Sequence, residues 1–600
     1  MTENIADCCS PSGQTVPPPP EALPMIPCAE SGTLGSWSWR FFAAPDIPEG
    51  LFEHGETVGD TLALPDGRKI KGTAFRFPES GMFDLYQVVS PRPETLARTV
   101  FVADFTMTRA GLLTIALGVD WMVLARCNGT VFCDTRGIGN GEAPTGFDHI
   151  ARIACRAGAN QLVLEIQGGG CPEAVIAAKL LDAAPLALRF APWTSYPDGE
   201  ANAMSVIFSG TRVSPAGVDY RKKGTETWIR RYDNLGGQIR RDRDVHVIRL
   251  EDLEPDTEYE YRVFLLDDYR GFAEVPFPDI HTFRSAPRPG RKFSFLATAD
   301  VQLPTPKRTE FLNALLNSKD ARDTDFFAFL GDVLWTSDCD KTVIEDFVMV
   351  CRKASGNRIP LLTVRGNHEI YGKDSNRFFD YFTAPEPGRE GYFLFRYGEV
   401  CFIVLDFCDD APRAPFPSTR CLHDFEPYLA KEAHWLKQAV TLPMCRDAGY
   451  RIVLAHGTPV GDSSEYLPGH VRQMIDPLFA GNAPEVKIHL WLGGHVHRPF
   501  RSIPGENACY SPVAPDDFRP GLKHPRIGDS YQFPVLVTGG PNAKLSDRLQ
   551  LTGFKVEVTE EAITVSSRDR YGKEFDRIAI APDGMVRELF RDEFFRRYDY

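Results

Sequence analysis

Residues 360–369 read Pro-Leu-Leu-Thr-Val-Arg-Gly-Asn-His-Glu. The first half, Pro360–Val364, has the length and composition of a short buried strand. At Gly366 the missing side chain lets the backbone turn sharply. An amide oxygen, an imidazole and a carboxylate, from Asn367, His368 and Glu369, follow where the strand stops. A Gly-Asn pair alone signals only a turn. The weight of this stretch therefore depends on partners elsewhere in the chain.

Four other polar clusters each follow an apolar run: Asp300-Val-Gln302, Gly331-Asp332, His456-Gly457 and Gly494-His495-Val496-His497. After Lys292, strand-like and helix-like runs alternate. The strands expected are Phe293–Thr298, Phe326–Leu330, Val400–Leu405, Arg451–Ala455 and Ile488–Leu492, and the helices 307–317, 341–353 and 426–438. Alternation of this kind predicts α/β structure with buried sheets. Ligands of open α/β sheets gather outside the carboxyl ends of the strands, so the five clusters converge although they lie far apart in sequence. Asp, Asn and His offer hard oxygens and imidazole nitrogens, a set suited to Zn, Mn or Fe. One carboxylate such as Asp332 can bridge two ions about 3.5–4 Å apart. Two antiparallel strands are expected near 554–558 and 562–566, and a C-terminal tail, 583–600, is expected to form a helix that packs back.

The chain ahead of Lys292 reads differently. Residues 1–33 are rich in Pro, Ser and Gly and predict a disordered or loosely packed arm. Residues 34–188 carry short alternating runs separated by turns, the pattern of an all-β sandwich. Their strand order resembles the jelly-roll sandwiches appended to sugar-active enzymes; that implies a structural or docking module, or else a carbohydrate contact. The Gly137-Ile-Gly139-Asn-Gly141 cluster lacks the strand-to-helix setting of a dinucleotide site and reads as a loop. Residues 189–287 form a second β module marked by Leu253-Glu-Pro-Asp-Thr-Glu-Tyr259-Glu-Tyr261, in which a Tyr hydroxyl can bond back to the backbone corner. This spacing resembles a fibronectin type III domain.

Bulk properties bound the remaining choices. Six hundred residues exceed one core and imply about three or four domains. A net charge of −14 argues against general nucleic-acid binding. No apolar run reaches the roughly 18 residues of a membrane-spanning helix. The first residues, Met1-Thr-Glu-Asn-Ile-Ala-Asp-Cys-Cys, do not have the form of a signal peptide. Taken literally this predicts a cytoplasmic protein whose 14 scattered cysteines are reduced. A mis-assigned start codon would instead allow secretion, and Asn128-Gly-Thr130 would then be a glycosylation sequon.

The five clusters in order, over roughly 290–582, resemble the calcineurin-like metallophosphoesterases, a four-layer α/β fold. With the fibronectin-like module ahead of them, the chain is similar to purple acid phosphatases. The resemblance implies a hydrolase that cleaves a small phosphate ester, a monoester in preference to a diester, by attack of a hydroxide held between two divalent ions. It assigns Asp300 and His497 to the first metal, Asp332 to the bridge, and Asn367, His456 and His495 to the second. His368 would serve the leaving oxygen, and Glu369 would orient the ligands from behind. Two positions depart from the pattern. Gln302 stands where many relatives have His; it is read as a ligand through its amide oxygen, with a supporting or purely structural role as the alternative. Trp335 stands where purple phosphatases have their coloured Tyr, so two divalent ions and no purple colour are expected. Arg365, Arg498, His470 and Tyr371 are candidate substrate contacts. The rival reading is a metal-binding relic that recognises phosphorylated or carbohydrate ligands without turnover.

Overall fold

The computed structural model describes residues 23–599 outside the segments 53–56, 86–97, 120–121, 137–148, 168–174, 183–185, 200–201, 268–271, 317–322, 382–389, 407–423, 461–474, 480–485 and 519–530, most of 340–357, and scattered single positions. The helix expected over 341–353 and His470 therefore lie largely or wholly outside the described residues.

Two antiparallel sheets build the first β region. One runs in the order 73–75, 38–44, 98–107, 158–167, 122–127, 130–134; the other in the order 149–155, 111–119, 175–181, 82–84. Alternate residues of both sheets, among them Phe101, Ala103 and Leu164 from one and Leu113, Ile115 and Ile153 from the other, share one buried core. Residues 23–33, expected as a loose arm, dock on this sandwich. The Ile26 amide donates to the Leu112 carbonyl at 2.8 Å, and Ile26 is fully buried. A Cβ on Gly111 would sit 2.5 Å from both the Pro24 carbonyl oxygen and the Ile26 side chain, so this strand needs Gly to receive the segment.

The second β region pairs a three-stranded sheet (188–195, 204–210, 245–250) with a five-stranded one centred on 216–222 and 258–267. Tyr259 and Tyr261 are both buried on one face. The Glu254 amide donates to the Tyr259 hydroxyl at 2.9 Å, closing the corner that the spacing suggested.

Two larger sheets form the rest. In the first, β1 (Phe293–Thr298), β2 (Phe326–Leu330) and β3 (Leu361–Val364) run parallel, and 552–558 joins β1 antiparallel. In the second, β4 (Val400–Leu405), β5 (Tyr450–Ala455), β6 (Leu490–Gly493) and β7 (Val535–Val537) run parallel. The period of two along each strand sorts side chains between layers. Phe295, Ala297, Phe326 and Ala328 meet Phe402, Val404, Ile452 and Leu454 between the sheets. Leu296, Phe327 and Phe329 turn outward onto α1 (Thr305–Leu316), and Ile403, Leu405 and Val453 onto α2 (Phe425–Ala439). The result is four layers, helix, sheet, sheet, helix. Buried on both faces, these strands read as continuous apolar runs.

The tail departs from expectation. Val586–Arg591 and Arg596–Asp599 are strands, not a helix, and each forms the edge of one large sheet. Their Arg and Glu residues suit an edge strand, where charge on the open side discourages pairing with another chain.

Candidate metal centre

The polar clusters leave the carboxyl ends of β1, β2, β3, β5 and β6, all on the same rim. Four side chains there sit on left-handed backbone: Asp300 (φ 55°), Asp332 (53°), His495 (72°) and His497 (58°). Such conformations cost roughly 1–2 kcal/mol per non-Gly residue. Four of the eight non-Gly residues of this kind among the described residues fall in one cluster, so local strain is concentrated where these side chains are aimed inward.

Glycines make the cluster possible. A Cβ on Gly366 would lie 2.3 Å from Asp332 Oδ1, one on Gly331 2.6 Å from His456 Nδ1, and one on Gly494 2.4 Å from Asp300 Oδ2.

Three of the four histidines, His456, His497 and His368, are held from behind by a backbone carbonyl, which fixes the tautomer. His456 Nδ1 donates to the Leu330 carbonyl at 2.7 Å, which leaves Nε2 3.2 Å from Asp332 Oδ1. His497 Nδ1 donates to the Pro541 carbonyl at 3.1 Å, and its Nε2 stands 3.4 Å from Asp300 Oδ1. His495 Nδ1 faces the Asn367 Oδ1 at 3.0 Å, and its backbone amide donates to Asp300. His368 Nδ1 donates to the Trp335 carbonyl at 2.9 Å, turning Nε2 toward Asp332 Oδ2 at 3.8 Å.

Among the described residues, Glu369 has no ion pair with a cationic side chain. Its Oε2 accepts the amides of Asp332 (2.8 Å) and Gly366 (2.6 Å), and its Oε1 accepts that of Val333 (2.8 Å). One carboxylate thereby clamps the loops after β2 and β3 together.

Asn367 Oδ1 lies 3.2 Å from His456 Nε2, 3.0 Å from His495 Nδ1 and 3.3 Å from both Asp332 oxygens. With His456 and His495 unprotonated at these nitrogens, every one of these is a lone-pair atom. Two arrangements satisfy such a set: an amide nitrogen turned inward, or a cation shared by all the lone pairs. Charge favours the cation. Burial opposes a charged His456, yet Asp332, Asp300 and Glu369 outweigh it and push the imidazole up to about 10. Burial likewise opposes ionised Asp332, but His456 and His368 hold it well below the usual carboxylate range. The carboxylates thus favour positive charge in this pocket, held as a proton on His456 or as a cation in its place, and the donor set fits divalent ions.

Gln302 is oriented with its amide nitrogen, not its oxygen, inward: Nε2 lies 3.2 Å from Asp332 Oδ2 and 3.1 Å from His497 Nε2. Its Oε1 is buried with no hydrogen-bond partner. Rotation of the amide by 180° would aim the oxygen at the same lone pairs and is the form a ligand role requires.

The candidate substrate contacts divide. Tyr371 lies within the site, its hydroxyl 3.3 Å from the Asn367 amide. Arg365 is engaged in a bidentate pair with Asp406, at 3.0 and 2.6 Å, and three aromatic rings surround its guanidinium. Arg498 is fully buried, binds Ser511 Oγ at 3.1 Å and packs on Phe500, a setting that speaks for a structural role over a substrate contact.

A sixth loop was not anticipated. Following β7, Thr538 Oγ1 donates to Asp300 Oδ2 at 3.2 Å, and Pro541 supplies the carbonyl that orients His497. A Cβ on Gly540 would stand 2.7 Å from Asp300 Cβ and from the His497 ring. The signal was present, since Pro534-Val-Leu-Val-Thr-Gly-Gly-Pro541, like the other five, places a polar group directly after an apolar run.

Residues 293–499 match the calcineurin-like phosphoesterase family. The chain carries a calcineurin-like phosphoesterase domain. A domain of this family supports a metal-dependent phosphoesterase, and the family implies divalent metal ions. Among solved structures, it is similar to a purple acid phosphatase from yellow lupin (Lupinus luteus) seeds, with 12% identity over 84% of this chain and 95% of that one, at a TM-score of 0.48. It is also similar to PhoD, with 11% identity over 66% of this chain and 92% of that one, at a TM-score of 0.42. No curated protein sequence matches it. No helix among the described residues is long and apolar enough to cross a membrane.

Proposed function

We propose that this phosphoesterase works with two divalent ions (Mn, Fe or Zn) and hydrolyses phosphomonoesters in preference to diesters. The observation that carries the two-ion reading is the sharing of Asp332. Asp332, His456 and His495 form one group of ligand atoms within 4.8 Å of one another, and Asp300, Asp332 and His497 form another. Asp300 and His497, with Gln302 after amide rotation, would hold one ion; Asn367, His456 and His495 would hold the other, and Asp332 would bridge. Bound cations lower the pKa of water and neutralise charge developing on phosphate. His368 Nε2, which faces the same carboxylate, would protonate the departing oxygen. Glu369 would keep the Asp332 and Asn367 loops in register. The preference for monoesters rests on the order of modules, a β module directly ahead of the catalytic motifs, which resembles purple acid phosphatases.

The test is hydrolysis of an aryl phosphate with added Mn, compared with a diester, alongside metal analysis of the same sample. Asn367→Ala should abolish turnover. A folded, metal-loaded protein with no turnover of either ester would support the metal-binding relic. With Trp335 in place of a phenolate, the native protein should lack a tyrosinate charge-transfer band in the visible spectrum.

A further inference from the structure

Trp335 is 57% exposed, while the three residues before it, Asp332, Val333 and Leu334, are buried. Among the described residues it is the only exposed Trp. A large apolar side chain left in solvent beside a polar cluster is not explained by core packing. Its position is specific. The indole stands edge-on to the His368 imidazole, with ring centroids 5.0 Å apart and planes at 74°. Tyr371 meets the same imidazole at 5.1 Å and 61°. The Tyr371 hydroxyl is within 3.3 Å of the Asn367 amide, which orients its ring against the site. The backbone of Trp335 already sets the His368 tautomer through its carbonyl, so the exposed side chain is left for a separate task.

Resting on the proposed role of His368 at the leaving oxygen, we infer that Trp335 and Tyr371 form an aromatic wall for the leaving group, and that the preferred substrates are phosphate esters of flat aromatic alcohols. An indole face offers offset or edge-to-face contact to a flat ring, and an alkyl or polyol group gains much less from it.

Two ratios test this. The first is kcat/KM for phenyl phosphate over that for glycerol phosphate, in which intrinsic leaving-group reactivity cancels between variants. The second is the calorimetric affinity of the metal-loaded protein for phenylphosphonate over methylphosphonate, which requires no turnover. In Trp335→Ala both ratios should fall about 3- to 10-fold, the range typical of one aromatic contact. Trp335→Phe should restore most of each. Equal losses for both members of a pair would mean that the indole only shields His368, and unchanged ratios would mean that it faces no ligand; either result overturns the inference. A wild-type protein that hydrolyses neither ester yet prefers phenylphosphonate, and loses that preference in Trp335→Ala, would sink the hydrolase reading while keeping the wall.

Discussion

Replacing Glu369 with Gln keeps the size of the side chain, removes its charge and turns one of its two outer acceptors into a donor. In the native structure these oxygens accept three buried backbone amides, those of Asp332, Val333 and Gly366. The amide nitrogen of Gln must take the place of one oxygen. In place of Oε1 it leaves the Val333 amide facing a donor; in place of Oε2 it leaves two. The milder choice loses one hydrogen bond to a charged acceptor, about 1.5–3 kcal/mol, and weakens the remaining two, which no longer meet a carboxylate. A local cost of about 2–4 kcal/mol follows, equivalent to roughly 30- to 700-fold faster opening at 1.4 kcal/mol per decade. Amide hydrogen exchange followed by mass spectrometry, on peptides covering 330–334 and 364–369, reads this directly. Metal content should fall in the same preparation, because Asp332 and Asn367 ride on the two loosened loops. Unchanged exchange in both peptides, with full metal occupancy, would refute the clamp.

Other expectations follow from the same geometry. Gly366→Ala should lose metal and at least about 1–3 kcal/mol of stability, since the new Cβ would meet Asp332 Oδ1 at 2.3 Å with backbone close behind; retained metal in the variant would show that the loops can separate. Chelation should lower the thermal midpoint and added Mn restore it, by about 2.7 kcal/mol at a hundredfold excess over Kd, and Asp332→Asn should remove this response. His489 gives a pH prediction away from the site. Burial, with Arg451 and Lys487 nearby, pushes its pKa down to about 4, and the neutral ring accepts the Arg451 amide. Its contribution is complete above the unfolded value near 6.5 and is lost as pH falls from there through about 4. Between pH 7 and 4.5, His489→Gln should therefore lose about 2–3 kcal/mol less stability than the native chain; parallel losses in chemical denaturation would contradict this.

The inner strands of the two large sheets were legible because they are buried on both faces, which forces long apolar runs such as Val400–Leu405. The ligand clusters were legible because chemistry constrains residue type and each cluster ends such a run. Three features were hidden for physical reasons. The tail strands carry edge charges that break the alternation expected of a half-buried strand. Arg498 sits beside His497 in sequence, yet burial depends on the strand 508–511, whose Ser511 receives it from a distant part of the chain. The loop after β7 follows an apolar run of only three strand residues and offers a hydroxyl and a carbonyl rather than the titratable side chains that attract notice.

The second β region and the phosphoesterase sheets do not meet as two finished surfaces. Tyr196, Met204 and Phe208 belong to the same continuous core as Phe295, Phe326 and Phe402. Tyr196 stacks on Phe395 and meets Phe326 edge-on at 5.6 Å. A chain cut near residue 290 would leave that oily seam open to water on both halves. Neither piece should be soluble alone, and the β region would be retained in evolution for this reason even in a descendant that had no use for whatever it touches.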